Sequence, residues 1–286
     1  MKGPFLPRRI SLNGHEWIWV NSNALNREKY DYTIESLGYW PFMFSWYWDA
    51  VCHSWGAFVK GDYEEVLPIC YRWKFGILPM LVTPYCVKWI EGDASVAEQI
   101  ISRTVGFKNL AFAIEVAGCK SAVVQVLTID NLWTPSGDLK RNVKKSVNKG
   151  YQFKEKGNWS NFSQLMRDFH PYKWTGDDEA AMQSLYLKSS DLGYGFISEV
   201  WLENEVVASY FFILYKSKVL LVQNVTHSQH KGGSPMALLI YSIIEKLRVE
   251  KIFPEIHFMG SMNPGAAEFN KKFGAIDREY FRLKNY

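Results

Sequence analysis

Val219-Leu220-Leu221-Val222-Gln223-Asn224-Val225-Thr226-His227-Ser228-Gln229-His230-Lys231-Gly232-Gly233-Ser234-Pro235 passes from an apolar, β-branched run into a polar glycine loop and then into a helix. Pro235 suits the first helical position, where its missing N–H costs nothing. Glycines just before a helix let backbone N–H groups approach an anion, and the helix N-terminus adds partial positive charge. A Gly-Gly pair is equally at home in a simple turn. Upstream, Gly195–Leu202 and Val206–Tyr215 complete a three-strand meander with Val219–Thr226, with turns at Glu203-Asn204 and Lys216-Ser217. Helices over Trp159–Phe169 and Asp177–Leu192 precede the meander. Downstream, the spacing predicts a helix from Pro235 to Glu250, a strand Glu255–Met259, a loop Gly260–Gly265, a helix Ala266–Phe273 and a strand Asp277–Leu283. This is an α/β pattern on a mixed sheet (α+β in its segregation of elements), with a strand that feeds directly into a helix N-terminus.

The first half repeats the mixture. Trp40 to Trp55 is dense in aromatics, and strand-like runs follow over Trp55–Lys60, Glu64–Trp73 and Leu78–Tyr85. Ala94–Gly106 has helical spacing behind Asp93 as N-cap, and Leu110–Val116 and Ala122–Ile129 again read as strands. A chain of 286 residues is long enough for two domains. The composition turns polar between Asn131 and Gly157, which places one lobe over 1–135, a crossing over 136–157 and a second lobe over 158–286. The 12 Trp, 16 Tyr and 18 Phe exceed what one small core holds, so Tyr39–Trp55 is expected either between lobes or along an acceptor groove. A net charge of +4 suits an anionic ligand but gives no argument for nucleic acid. The cysteines (Cys52, Cys70, Cys86, Cys119) lack CxxC spacing and read as buried thiols of a reducing compartment. No apolar leader precedes Asn13 and no stretch approaches ~18 apolar residues. A cytoplasmic protein with no membrane partner is expected.

Gly260-Ser261-Met262-Asn263-Pro264-Gly265-Ala266-Ala267-Glu268-Phe269-Asn270-Lys271-Lys272-Phe273-Gly274-Ala275 resembles the GNAT acyltransferase motif in which an Asn after a strand opens a short helix. That resemblance spans Phe196 to Leu283. A wider one covers nearly the whole chain: Trp48-Asp49-Ala50-Val51, Trp55-Gly56-Ala57-Phe58-Val59, Tyr63-Glu64-Glu65-Val66-Leu67-Pro68 and Arg141-Asn142-Val143-Lys144-Lys145-Ser146 are similar to FemABX-related tandem-GNAT proteins. The resemblance implies two GNAT-like lobes packed together, with the donor site in the second. It implies an N-acyltransferase that takes acyl-CoA, with acetyl-CoA as the default donor, and an amine acceptor on a small molecule, amino sugar or peptide. Fem-like transfer of an aminoacyl group from tRNA to a cell-wall precursor is the alternative, and a degenerate, ligand-binding GNAT the third.

In GNAT proteins the strand–loop–helix holds the donor's pyrophosphate, which falls here on Gln229, Lys231, Gly232, Gly233 and Ser234, with Asn263 beside the pantetheine arm. The loop departs from the family at Ser234, where Gly or Ala is usual. The tyrosine that often serves as acid falls at Asn270, which cannot give up a proton near neutral pH. No heptads provide the coiled-coil arm of Fem ligases. Amide formation needs a neutral amine, a polarised carbonyl and a sink for a proton. Backbone N–H groups near Val225 and Thr226 are expected to meet the carbonyl. Glu199 and His227 are the candidate bases, each also explicable as a surface or loop-capping group. The cations of Leu139–Ser146 form either a solvated face or a basic wall, with Arg141 and Lys145 as candidate substrate contacts. His227 and His230 lack a third ligand nearby in sequence, so no metal is expected.

Overall fold

Two stretches of the chain fold through the same succession of elements. The computed structural model describes residues 6–285 apart from 75, 85, 171–173, 253 and 260–263. The first stretch contains β1 (Arg9–Leu12), β2 (His15–Asn21), α1 (Arg27–Ser36), α2 (Ser45–Val51), β3 (Trp55–Lys60), β4 (Glu65–Lys74), β5 (Leu78–Val82), α3 (Ala94–Arg103) and β6 (Phe107–Phe112). The second contains β7 (Lys120–Thr128), α4 (Gly137–Asn148), β8 (Tyr151–Lys154), α5 (Trp159–Phe169), α6 (Gly176–Asp191), β9 (Gly195–Leu202), β10 (Glu205–Tyr215), β11 (Lys218–Thr226), α7 (Pro235–Val249), β12 (Glu255–His257), α8 (Pro264–Lys271) and β13 (Ile276–Asn285). Strand, two helices, three strands, helix, strand describes both β2 to β6 and β8 to β12. The duplication expected from sequence is thus present in the order of elements.

The chain divides into two compact units, one running to Val123 and taking back Glu279 onward, the other spanning Val124–Arg278. In the first unit the strands lie in the order β1-β2-β3-β4-β5-β6-β13. Neighbours are antiparallel except β5 and β6, which are parallel and joined through α3. In the second unit the order is β7-β12-β11-β10-β9-β8, and β11 and β12 form the parallel pair, joined through α7. Parallel neighbours need such a helical crossover because a hairpin cannot reverse the chain twice.

The expected crossing over 136–157 lies inside the second unit, as α4 and β8. Its polar composition is the outer face of an amphipathic helix. The inner face buries Leu139 and rests Val143 on the core formed by Val219, Leu239, Ile243, Ile244 and Phe273. Ser136 caps α4 by accepting the Leu139 N–H at 3.2 Å.

The aromatic run Trp40–Trp55 fills the first unit. Trp40, Phe42, Tyr47, Trp48 and Trp55 are buried. Trp48 meets Trp55 at 5.8 Å, Phe42 meets Trp89 edge-on at 5.7 Å, and Tyr47 Oη donates to the Cys86 carbonyl at 2.6 Å. These rings serve as core, so a lining of an acceptor groove is not their role. Asp93 caps α3 as expected, accepting from the N–H groups of Ser95 and Val96. All four cysteines are free thiols; Cys70 and Cys86 are buried, whereas Cys52 and Cys119 are half-buried. Among the described residues no helix is long and apolar enough to cross a membrane.

Candidate active site

β11 keeps company with β12 for only three residues. Lys218, Val219 and Leu220 pair with Glu255, Ile256 and His257, while on its other edge β11 pairs with β10 as far as Thr226 opposite Ala208. The cause is local to His257. Its Nδ1 accepts the Met259 N–H at 3.0 Å, Met259 takes a left-handed φ of 44°, and the Phe258 N–H goes to the Gln125 carbonyl of β7 at 3.1 Å. The chain therefore turns towards β7 and leaves β11. Among the described residues the edge of β11 beyond Leu220 has no strand partner.

Alternation decides which N–H groups look out of that edge. The His227 N–H bonds to the Val207 carbonyl of β10 at 2.9 Å. Two residues back, Val225 points its N–H the same way, and Asn224 and Thr226 point theirs to the open side. Of the two residues expected near the carbonyl, Thr226 turns its N–H to the open side, whereas Val225 turns its N–H to β10 and its side chain is fully buried.

The glycine loop is a 3-10 turn over Ser228–Gly233, followed by Ser234 at φ 61° and Pro235 opening α7. Three of its N–H groups are already used: Gln229 donates to His227 Nδ1, His230 to the His227 carbonyl and Ser234 to the Lys231 carbonyl. Gln229, Lys231 and Gly232 are exposed, and the space beside Gly232 is open. Gly233 has a different reason to be glycine. A β-carbon there would run into the Tyr151 ring, whose hydroxyl lies 2.9 Å from His230 Nδ1. Burial pushes the Tyr151 phenol up, so it stays protonated at neutral pH.

Behind the loop, the buried Ser146 Oγ of α4 donates to the Gly233 carbonyl at 2.7 Å. Lys140, Arg141, Lys144 and Lys145 stand on the exposed faces of this helix, and Arg141 pairs with Asp138. The structure thus brings the basic helix against the loop, although neither Arg141 nor Lys145 touches it through a described bond.

Glu199 does not meet the expectation of a base. Its side chain is buried and accepts from the Asn158 N–H at 3.0 Å, Asn161 Nδ2 at 3.1 Å and Trp201 Nε1 at 2.9 Å, pinning the start of α5. His227 is similarly engaged: Nδ1 accepts the Gln229 N–H at 3.3 Å and Nε2 lies 3.4 Å from Glu205 Oε1. No lone pair is left for an acceptor amine. Asn270 is buried and donates to Gln125 Oε1 at 3.4 Å, a packing role consistent with its exclusion as the acid. Asn263 lies outside the described residues.

No protein-family model matches the chain, and no curated protein matches it in sequence. Among solved structures, FemX superposes with a TM-score of 0.63 at 10% identity, over 91% of this chain and 96% of its own. L-PGS from Bacillus licheniformis superposes with a TM-score of 0.56 at 13% identity, over 91% and 93%. The chain has a FemX-like fold. At these identities the likeness concerns architecture alone.

Three residues that shape this site were not singled out from sequence: Ser146, Tyr151 and Glu205. Strand register assembles the last two, because Leu202 of β9 pairs with Tyr151 on one side and with Glu205 on the other.

Proposed function

We propose that the second unit transfers an acyl group from an activated carrier to an amine. The observation that carries this reading is the open edge of β11, where the N–H groups of Asn224 and Thr226 stand unpaired by any described strand, just before the glycine loop and α7. A carbonyl seated on that edge gains polarisation as its oxygen takes up negative charge, since the donors are fixed in advance. The amine attacks the carbonyl carbon, the C–N bond forms, and collapse of the tetrahedral species breaks the bond to the carrier. The proton lost by the amine balances the one taken by the leaving group and passes through water, as Glu199 and His227 are both committed elsewhere.

The donor is acyl-CoA, with acetyl-CoA as the simplest case. The exposed cations of α4, Arg141 and Lys145 among them, together with Lys231, surround the loop with positive charge that suits a polyphosphorylated carrier. The acceptor is a small molecule, amino sugar or peptide carrying a primary amine. An aminoacyl-tRNA donor is the second reading, favoured by one observation: the N–H groups of Gln229 and His230 are already taken up inside the loop, which weakens it as a pyrophosphate cradle. Calorimetric titration with acetyl-CoA and, separately, with aminoacyl-tRNA tests both. Saturable acetyl-CoA binding with thiol release on adding an amine supports the first. Binding of charged tRNA alone moves the assignment to the second. Binding of neither overturns transfer by this site.

A further inference from the structure

The register of β10 with β11 supplies the third ligand that the sequence spacing of the histidines lacked. Ala208 stands opposite Thr226, so Glu205, at the start of β10, arrives beside His227 and His230, more than 20 positions away in sequence. We propose that Glu205, His227 and His230 form a binding site for a zinc-class divalent cation.

Geometry supports the proposal first. Glu205 Oε1 lies 3.4 Å from His227 Nε2, and Glu205 Oε2 lies 3.8 Å from His230 Nε2. All three donor atoms fall within 4.8 Å of one another. Ligands about 2.1 Å from a tetrahedral ion stand roughly 3.4 Å apart, so small side-chain shifts close the set. Two imidazoles and one carboxylate suit zinc and leave a fourth position for water. The rings are also held in place. Their side chains are 16% and 17% exposed, His227 packs on Phe169 at 4.2 Å, and His230 Nδ1 meets the Tyr151 hydroxyl at 2.9 Å. An outer partner on the remote ring nitrogen is the usual companion of a metal-bound histidine.

The protons require explicit accounting. With Nδ1 of His227 accepting the Gln229 N–H, the neutral ring carries its proton on Nε2, aimed at Glu205. A cation at Nε2 displaces that proton, and the neutral bound ring then holds its hydrogen on Nδ1, where it opposes the Gln229 N–H. Loading therefore gives up the 3.3 Å bond that caps the loop's first turn. Cation binding and the conformation of the glycine loop are linked, independently of whether the site transfers acyl groups.

The test is direct binding to the full chain, stripped by chelator and titrated with Zn²⁺ against a chromophoric competitor. One cation per chain is expected, weakened at least ~100-fold in His230→Ala and in Glu205→Gln and about 10-fold in Tyr151→Phe. Circular dichroism establishes that each variant is folded. Co²⁺ substitution should give intense d–d bands without a thiolate charge-transfer band, separating this site from the cysteines. In the amide spectrum, the Gln229 resonance should move on loading. Affinity in the range of ~100 µM or weaker for the native chain, or equal affinity in His230→Ala and Glu205→Gln, overturns the site.

Discussion

The hydroxyl of Ser146 donates to the carbonyl of Gly233 across 2.7 Å, tying the basic helix to the loop by one buried bond. Tyr151 also fills the space that a β-carbon on Gly233 would need, so this position is constrained from two sides. Gly233→Ala is expected to destabilise the protein by about 1–3 kcal/mol through overpacking. Tyr151→Leu in the same chain should recover part of the loss. A urea-unfolding double-mutant cycle measures the coupling; additive effects would show that the two residues do not press on each other.

Proline scanning distinguishes the two edges of β11. Thr226→Pro removes an N–H that faces the open side, so the fold should survive while kcat falls by about 10²–10³. Val225→Pro removes a ladder bond to β10 and should unfold the meander. Equal effects of the two on activity at equal stability would refute the alternation.

Glu199→Gln should cost about 1–3 kcal/mol of stability, since the amide oxygen can keep the Asn158 and Asn161 donors but its NH₂ would then confront Trp201 Nε1. Its kcat/KM should hold once assays are run well below Tm. A large fall in kcat at unchanged stability would return Glu199 to the chemistry.

Arg141→Gln with Lys145→Gln removes two exposed cations, and stability should change by no more than about 0.5 kcal/mol. The donor KM should rise several-fold at low ionic strength, with the difference fading towards ~1 M salt as screening shortens to about 3 Å. A salt-independent KM would leave these cations as solvated surface.

Lys88 gives a pH signature in the first unit. Burial, with Arg282 nearby, brings its ammonium down to about 8, and it lies 5.8 Å from the centre of the Tyr280 ring. The folded state thus holds this proton less tightly than the unfolded chain does. Between about pH 8 and the ordinary lysine range the unfolded state binds more protons, and stability from this group rises with pH. Lys88→Met should raise Tm at pH 7 and much less at pH 10, as read by calorimetry at both values.

The meander was legible because its strands are apolar runs bounded by turn residues, and the helix before it because its burial follows a helical period. Gly195–Leu202 and Trp159–Phe169 match the expected bounds. The N-terminal hairpin was overlooked although its signal was present. Asn13-Gly14 joins β1 to β2 with φ of 51° and 79°, the conformation that favours this pair in tight hairpins. Trp17-Ile18-Trp19-Val20 is an unbroken apolar run of which only Trp17 is buried, so the stretch lacks the apolar–polar alternation that marks a half-buried strand. The site was harder to foresee than the fold. The loop follows β11 directly and could be read from consecutive residues. Glu205 and Tyr151 reach it only through pairing with strands distant in sequence, and Glu199 looked chemically available because its three donors come from α5 and from Trp201, which no local pattern announces.

Strand β6 waits for β13, a segment far downstream of it. The Lys108 N–H bonds to Asn285 Oδ1 across a separation of 177 positions. At 5–20 residues per second, roughly 10–35 s of synthesis pass between the two. During that interval Phe107–Phe112 carries an unsatisfied edge on a nascent chain, while Val124–Arg278 emerges and can fold on its own schedule. Vectorial synthesis thus favours the middle of the chain maturing before its beginning, and makes the arrival of β13 decisive for a unit whose first strands were translated long before.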